Sequence, residues 1–180
     1  MDSFHGTTIL AVRYNGKTVV AGDGQVTLNN TIVKHRAKKV RRIFNDTIVV
    51  GFAGATADAL NLSEKLEAKL ERYNGNLIRA AVELARDWRT DKYLRRLEAM
   101  MIAVDDKNML LISGNGDVIE PDEGVIAIGS GGVAAHAAAV ALLSHAETIG
   151  CDANGIVAEA MKIASGICVF TNDVFTIEEA

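Results

Sequence analysis

The chain has 180 residues, 49% of them hydrophobic and 23% charged, with a formal net charge of −4. That length suits one domain with a sizeable core, and the acidic balance gives no reason to expect nucleic acid. Two cysteines, Cys151 and Cys168, make neither a disulfide framework nor a spaced metal site and fit a reducing compartment. No apolar run reaches the roughly 18 residues of a membrane span, and the first six residues lack the regions of an export signal.

In chain order, residues 8–13 and 18–21 read as strands around Asn15-Gly16, a two-residue hairpin signal. Gly22-Asp23-Gly24 breaks the second strand, residues 31–34 form a short one, and a basic run follows with Lys38, Lys39, Arg41 and Arg42. Residues 47–52 are a near-continuous apolar strand ending in Gly51-Phe52-Ala53-Gly54. A helix capped by Thr56 or Asp58 then places Ala59, Leu62, Leu66 and Leu70 on one face and stops at Asn74-Gly75. A second helix spans residues 77–86, with room to run on to 97, and carries Ala81, Leu84, Ala85 and Trp88 on one face.

Residues 101–104 and 109–113 make a hairpin; 118–120 form a strand ended by Pro121, and 125–128 another that closes at Gly129-Ser130-Gly131-Gly132. Two alanine-rich helices cover residues 133–147 and 152–164, with Asp152 as N-cap of the second. Residues 168–171 and 175–177 close the chain as strands around Asn172-Asp173. Hairpin-linked strands with segregated helix pairs predict a single α+β domain over residues 7–180, in four layers, helices–sheet–sheet–helices. Residues 1–6 read as a short leader outside any strand, compatible with a propeptide and equally with a frayed terminus.

Thr7 opens the first strand. Cut after Gly6, it would carry a free α-amine beside its own hydroxyl, supplying nucleophile and base from one residue, since such an amine has a pKa of about 7.7–8.0. A threonine pair that merely opens a strand is the plainer reading of Thr7-Thr8.

Four segments in this order, Gly6-Thr7-Thr8-Ile9, Gly22-Asp23-Gly24-Gln25, Lys38-Lys39-Val40-Arg41-Arg42 and Gly51-Phe52-Ala53-Gly54, change the weighing. With Gly114-Asn115-Gly116-Asp117, Gly129-Ser130-Gly131-Gly132 and Cys168-Val169-Phe170-Thr171-Asn172, they span the chain. The sequence resembles the bacterial threonine peptidases related to proteasome β subunits. The resemblance implies a four-layer αββα N-terminal-nucleophile hydrolase, a dodecamer of two stacked hexameric rings, and a cytoplasmic location. It also implies a hexameric AAA+ ATPase partner that unfolds protein substrates and spends the ATP. This chain lacks a Gly-x-x-x-x-Gly-Lys-Ser/Thr loop and any sign of an organic cofactor.

By the same match Thr7 is the nucleophile, Lys39 the active-site lysine and Asp23 its counter-charge. Gly51 supplies the oxyanion N–H, and Ser130 helps position the amine. A sodium ion is implied on the backbone carbonyls of Ser165, Cys168 and Thr171; Ser165 stands where the family commonly has glycine. The register to Asp23, Lys39 and Gly51 favours Thr7 over Ser3 as the processed start. His5, His35, His136 and His145 lack metal-ligand spacing and are read as non-catalytic. The competing functions are an amidohydrolase acting on a small amide and a non-catalytic ring subunit; the latter predicts loss of Thr7, Lys39 or Asp23, all of which are present.

Overall fold

The computed structural model describes residues 4–54, 56–92, 94 and 99–180. Its central sheet grows from the predicted hairpin. Asn15 and Gly16 take φ values of 51° and 78°, the left-handed turn that matches the twist of paired strands. The turn joins β2 (Thr8–Tyr14) to β3 (Lys17–Asp23), while β1 (Phe4–His5) precedes them. With β11 (Val125–Gly129) and β12 (Phe175–Glu179) they form an antiparallel sheet in the order β11-β2-β3-β12.

A second antiparallel sheet runs β10 (Val118–Ile119), β9 (Met109–Ser113), β8 (Met100–Val104), β7 (Ile48–Ala53), β6 (Val40–Ile43). The two sheets stack. Ile9, Ala11 and Val20 from the first meet Val40, Val49 and Ile102 from the second. Alternate residues point the other way. Leu10 and Val12 pack beneath α3 (Gly132–Ser144) and α5 (Ala153–Ile167), which the short α4 (Ala146–Ile149) separates. On the far side, α1 (Thr56–Arg72) and α2 (Leu77–Thr90) lay Leu62, Leu66, Leu84 and Trp88 over Phe52 and Met101. The four layers are those expected. β2 and β7 lie between apolar layers on both faces, which explains their near-continuous apolar sequence.

The local signals hold at several boundaries. Asp152 caps α5 by accepting the Gly155 N–H at 2.8 Å, and Gly75 ends α1 with its N–H on the Leu70 carbonyl at 2.8 Å. Elsewhere the structure differs from the sequence reading. β3 continues through Gly22 and Asp23, which pair with Thr176 and Phe175. The basic run carries β6, with Val40 and Ile43 buried and the arginines between them turned outward. Residues 168–171 are a turn, closed by the Thr171 N–H on the Cys168 carbonyl at 3.0 Å, and not a strand. The helix expected over 133–147 divides at His145 into α3 and α4. α2 ends at Thr90; its expected extension toward 97 falls partly outside the described residues. The leader is not free of strand. A third sheet, β1-β4-β5, is built from β4 (Val26–Leu28) and β5 (Thr31–Lys34), with Phe4 opposite Leu28 and His5 opposite Thr27. The open edge of β4 gives the leader's backbone a hydrogen-bonding partner. Ser3 lies outside the described residues.

Candidate active site

The β2–β3 register carries Asp23 to the end of β3, alongside the start of β2. Its carboxylate is fully buried. Oδ1 accepts the Thr8 N–H at 2.7 Å and Oδ2 the Gln25 N–H at 2.9 Å. Lys39, the residue before β6, reaches the same carboxylate from the facing sheet, with Nζ 2.8 Å from Oδ1. Its other two bonds go to the carbonyls of Gly6 at 2.7 Å and Gln25 at 2.5 Å. All three ammonium protons therefore have acceptors. Burial pushes the Lys39 pKa below the ordinary 10.5, and the charge and hydrogen bond of Asp23 oppose that without cancelling it. Lys38 borders the cleft but makes none of these bonds, so Lys39 is the lysine of the pair that meets Asp23.

Thr7 is nearly closed to solvent, and its hydroxyl donates to the Gly6 carbonyl at 2.7 Å. That carbonyl thus receives both the Thr7 hydroxyl and the Lys39 ammonium. Ser130 follows β11, whose Gly129 pairs with Thr8; its N–H and hydroxyl both donate to the Thr7 carbonyl, at 2.8 and 3.3 Å. Ser130 therefore fixes the backbone of the nucleophile candidate.

Gly51 is placed differently from expectation. The Phe52 N–H bonds the Lys39 carbonyl at 3.2 Å, which by antiparallel alternation turns the Gly51 N–H toward Ile102 of β8. A Cβ on Gly51 would lie 2.5 Å from the Ile9 side chain in the inter-sheet core. The glycine of this segment that borders the cleft with Thr7, Lys39 and Phe52 is Gly54, just past the end of β7. Gly54 lies beyond the last residue pair of either ladder, Val40–Gly51 on one side and Ala53–Met100 on the other. Nothing in the sequence separates the two glycines except strand parity, which needs the register.

The three positions expected to hold a sodium ion run from Ser165 in the last turn of α5 through Cys168 to Thr171, at the end of the turn that follows. Cys168 donates its N–H to the Ala164 carbonyl at 2.8 Å, closing the helix. The next carbonyl, of Ser165, belongs to the last turn, where helix carbonyls lack intrahelical partners. A helix C-terminus and a set of neutral oxygens fit a hard monovalent cation. Thr171 is buried, and its hydroxyl shares a 2.7 Å hydrogen bond with that of Thr8, which also accepts the Gly131 N–H at 3.0 Å. Gln25, buried behind Lys39, donates to Thr27 Oγ1 at 3.0 Å and to the Val169 carbonyl at 2.9 Å. The roles of Thr8 and Gln25 were not legible beforehand, since each has a partner more than 140 residues away. Among the described residues no group of three His, Cys, Asp or Glu could hold a metal ion, and no helix is long and apolar enough to cross a membrane.

A threonine at the head of a central strand, backed by a buried lysine–aspartate pair inside an αββα sandwich, is the arrangement of an N-terminal-nucleophile hydrolase of the proteasome type. The family model described as Proteasome subunit matches residues 3–180, and the chain belongs to that family as a protease subunit. It is 63% identical to the ATP-dependent protease subunit HslV of Sulfurihydrogenibium sp. (strain YO3AOP1), over 99% of each chain. It is 61% identical to the subunit of that name from Aquifex aeolicus (strain VF5), covering 96% of this chain and 97% of the relative. The crystal structure of eukaryotic HslV from Trypanosoma brucei superimposes with a TM-score of 0.90 at 49% identity, covering 96% of this chain and 98% of that one.

Proposed function

We propose that Thr7, freed from Gly6, is the nucleophile of a threonine endopeptidase that works as the proteolytic half of an ATP-dependent protease. The observation that carries this reading is the Gly6 carbonyl, held by the Thr7 hydroxyl and the Lys39 ammonium at 2.7 Å each. The same contacts suit removal of the leader by the chain itself. The Thr7 oxygen bonds to the Gly6 carbonyl carbon as the Gly6–Thr7 C–N bond breaks, and the hydroxyl proton passes to the departing nitrogen. Water then hydrolyses the ester and leaves a free α-amine on Thr7.

In turnover, that amine takes the hydroxyl proton, Thr7 attacks the substrate carbonyl, and water hydrolyses the acyl-enzyme. The Lys39 ammonium disfavours protonation of the amine, and Asp23 holds Lys39 in place. The resemblance assigns the oxyanion to the Gly51 N–H. Because the Gly51 N–H turns to β8 and Gly54 borders the cleft beside Thr7, we take Gly54 as the donor. Ser130 holds Thr7 through its carbonyl. A sodium ion on the carbonyls of Ser165, Cys168 and Thr171 would brace the turn behind Thr8; it supplies charge and rigidity and takes part in no bond change.

The names of the relatives, with the resemblance, extend the reading to assembly. The subunits form a dodecamer of two stacked hexameric rings in the cytoplasm, and the AAA+ ATPase HslU (ClpY) delivers unfolded proteins to it. The test is intact mass with N-terminal fragmentation of the purified protein, followed by Thr7→Ala. A start at Thr7, and loss of at least about 1,000-fold in peptide cleavage on Thr7→Ala, is the expected result. A preparation that begins before Thr7 and still cleaves peptides overturns the assignment.

A further inference from the structure

Asn172 lies in the segment between α5 and β12, and none of the chemistry above uses it. Its carboxamide joins two backbone segments. Oδ1 accepts the Gly24 N–H at 3.0 Å, and Nδ2 donates to the His35 carbonyl at 2.9 Å. A further bond, from the Val174 N–H to Oδ1 at 3.3 Å, sets the orientation of the amide. Gly24 sits between Asp23 and Gln25, which supply two of the three acceptors of Lys39 Nζ. His35 begins the stretch that leads to Lys39 itself. The two stretches also meet through the Ala37 N–H on the Gly24 carbonyl at 2.9 Å, and a Cβ on Gly24 would collide with the His35 carbonyl oxygen.

We infer that Asn172 is a positioning residue that clamps the Asp23–Gln25 stretch to the residues leading into Lys39, and so sets where the Lys39 ammonium stands relative to Thr7. This rests on the Thr7–Lys39 reading above. The donor and acceptor of one rigid amide satisfy one group on each stretch, so a shift between the stretches breaks at least one bond. Among the described residues the charged groups that line the cleft with Thr7 are Lys38 and Lys39 from the stretch before β6 and Arg41 from β6, with Asp23 of β3 buried against Lys39. Loosening the clamp moves the lysines and leaves Asp23 and Arg41 on their strands. With the ammonium less closely placed, the Thr7 amine stays protonated to higher pH. The acidic limb of kcat/KM then moves up and kcat falls. KM changes little, because the cleft wall at Phe52 and Gly54 is untouched.

The test uses the processed full-length assembly, a small fluorogenic peptide and pH values across the neutral range. Asn172→Ala is expected to lower kcat about tenfold, keep KM within about twofold, and raise the acidic limb by about half a unit. An unshifted limb overturns the inference, as does a loss that appears in KM alone. Should that variant fail to assemble, Asn172→Asp replaces it: it keeps the Gly24 acceptor and loses the donor to His35. Its added charge also raises the limb, so the profile is repeated in about 1 M salt, which screens exposed charge. A shift that persists there supports the clamp; one that vanishes, or none at all, overturns it. Thr7→Ala run in parallel separates the two readings. Activity surviving in Thr7→Ala sinks the nucleophile assignment, whereas an inactive Thr7→Ala beside a wild-type-like Asn172 variant sinks only the clamp.

Discussion

Two ion pairs reach out from β6 and the residue before it at nearly the same distance. Lys39 Nζ stands 2.8 Å from Asp23 Oδ1, and Arg42 Nε stands 2.9 Å from Glu178 Oε2. The first pair is 9% and 0% exposed at its two side chains, the second 34% and 32%. Geometry alone would rank them equal. The buried pair has given up hydration and regained it as hydrogen bonds from every proton of the ammonium, yet burial still depresses the Lys39 pKa. The exposed pair ties the edge of one sheet to the other, with Arg42 also bonding the carbonyls of Glu179 at 2.5 Å and Asp46 at 3.0 Å. Water competes for each of those bonds. The buried pair holds its charges at a cost in desolvation, and the exposed one is a weak seam.

The hardest test of that contrast is Lys39→Ala. Peptide cleavage should fall by about 100-fold or more, because the charge aimed at the reacting centre is gone. Stability should fall by about 3 kcal/mol, since Asp23 is left buried without its counter-charge. Chemical denaturation together with kcat reads both, and an active, fully stable variant would break the comparison. Asp23→Asn should follow with a loss of about tenfold in kcat, because the amide keeps the shape but not the charge that holds Lys39.

The pH dependence sharpens the picture. The folded pKa of Lys39 lies below the unfolded value of about 10.4, so the folded chain releases this proton first. The contribution of Lys39 to stability is therefore fully present above about pH 10.4 and is lost as pH falls through the lowered folded value. Wild type measured against Lys39→Met should gain stability as pH rises through that window, while kcat declines as the ammonium is lost. A stability difference that stays flat up to pH 10.4 would show that burial is not straining this lysine. The smallest effect is expected at the seam. Arg42→Ala or Glu178→Ala should cost no more than about 1 kcal/mol, diminish further in high salt and leave kcat unchanged.

Much of the fold was legible in local chemistry. The Asn15-Gly16 turn, the Asp152 cap, the Asn74-Gly75 stop and the apolar faces of α1 and α2 each depend on a few neighbouring residues, and each stands where the sequence put it. Errors fell where a local signal met a distant partner. The glycines at Gly22 and Gly24 read as a strand break, but β12 supplies the partner that carries β3 to Asp23. The basic run read as charge before it read as strand, because only two of the four β6 side chains face the core.

For the site, the order of residue types, from Thr7 through Asp23 and Lys39 to the glycines beyond, and with it the resemblance to threonine peptidases, can be read from the chain alone. That Lys39 rather than Lys38 meets Asp23, that Gly54 rather than Gly51 opens on the cleft, and that Asn172 binds Gly24 to His35 emerges from the folded arrangement. The reason is geometric. Which way a side chain or an N–H points alternates from one residue to the next along a strand, so a choice between neighbours rests on the register between strands, and register is set by packing across the two sheets.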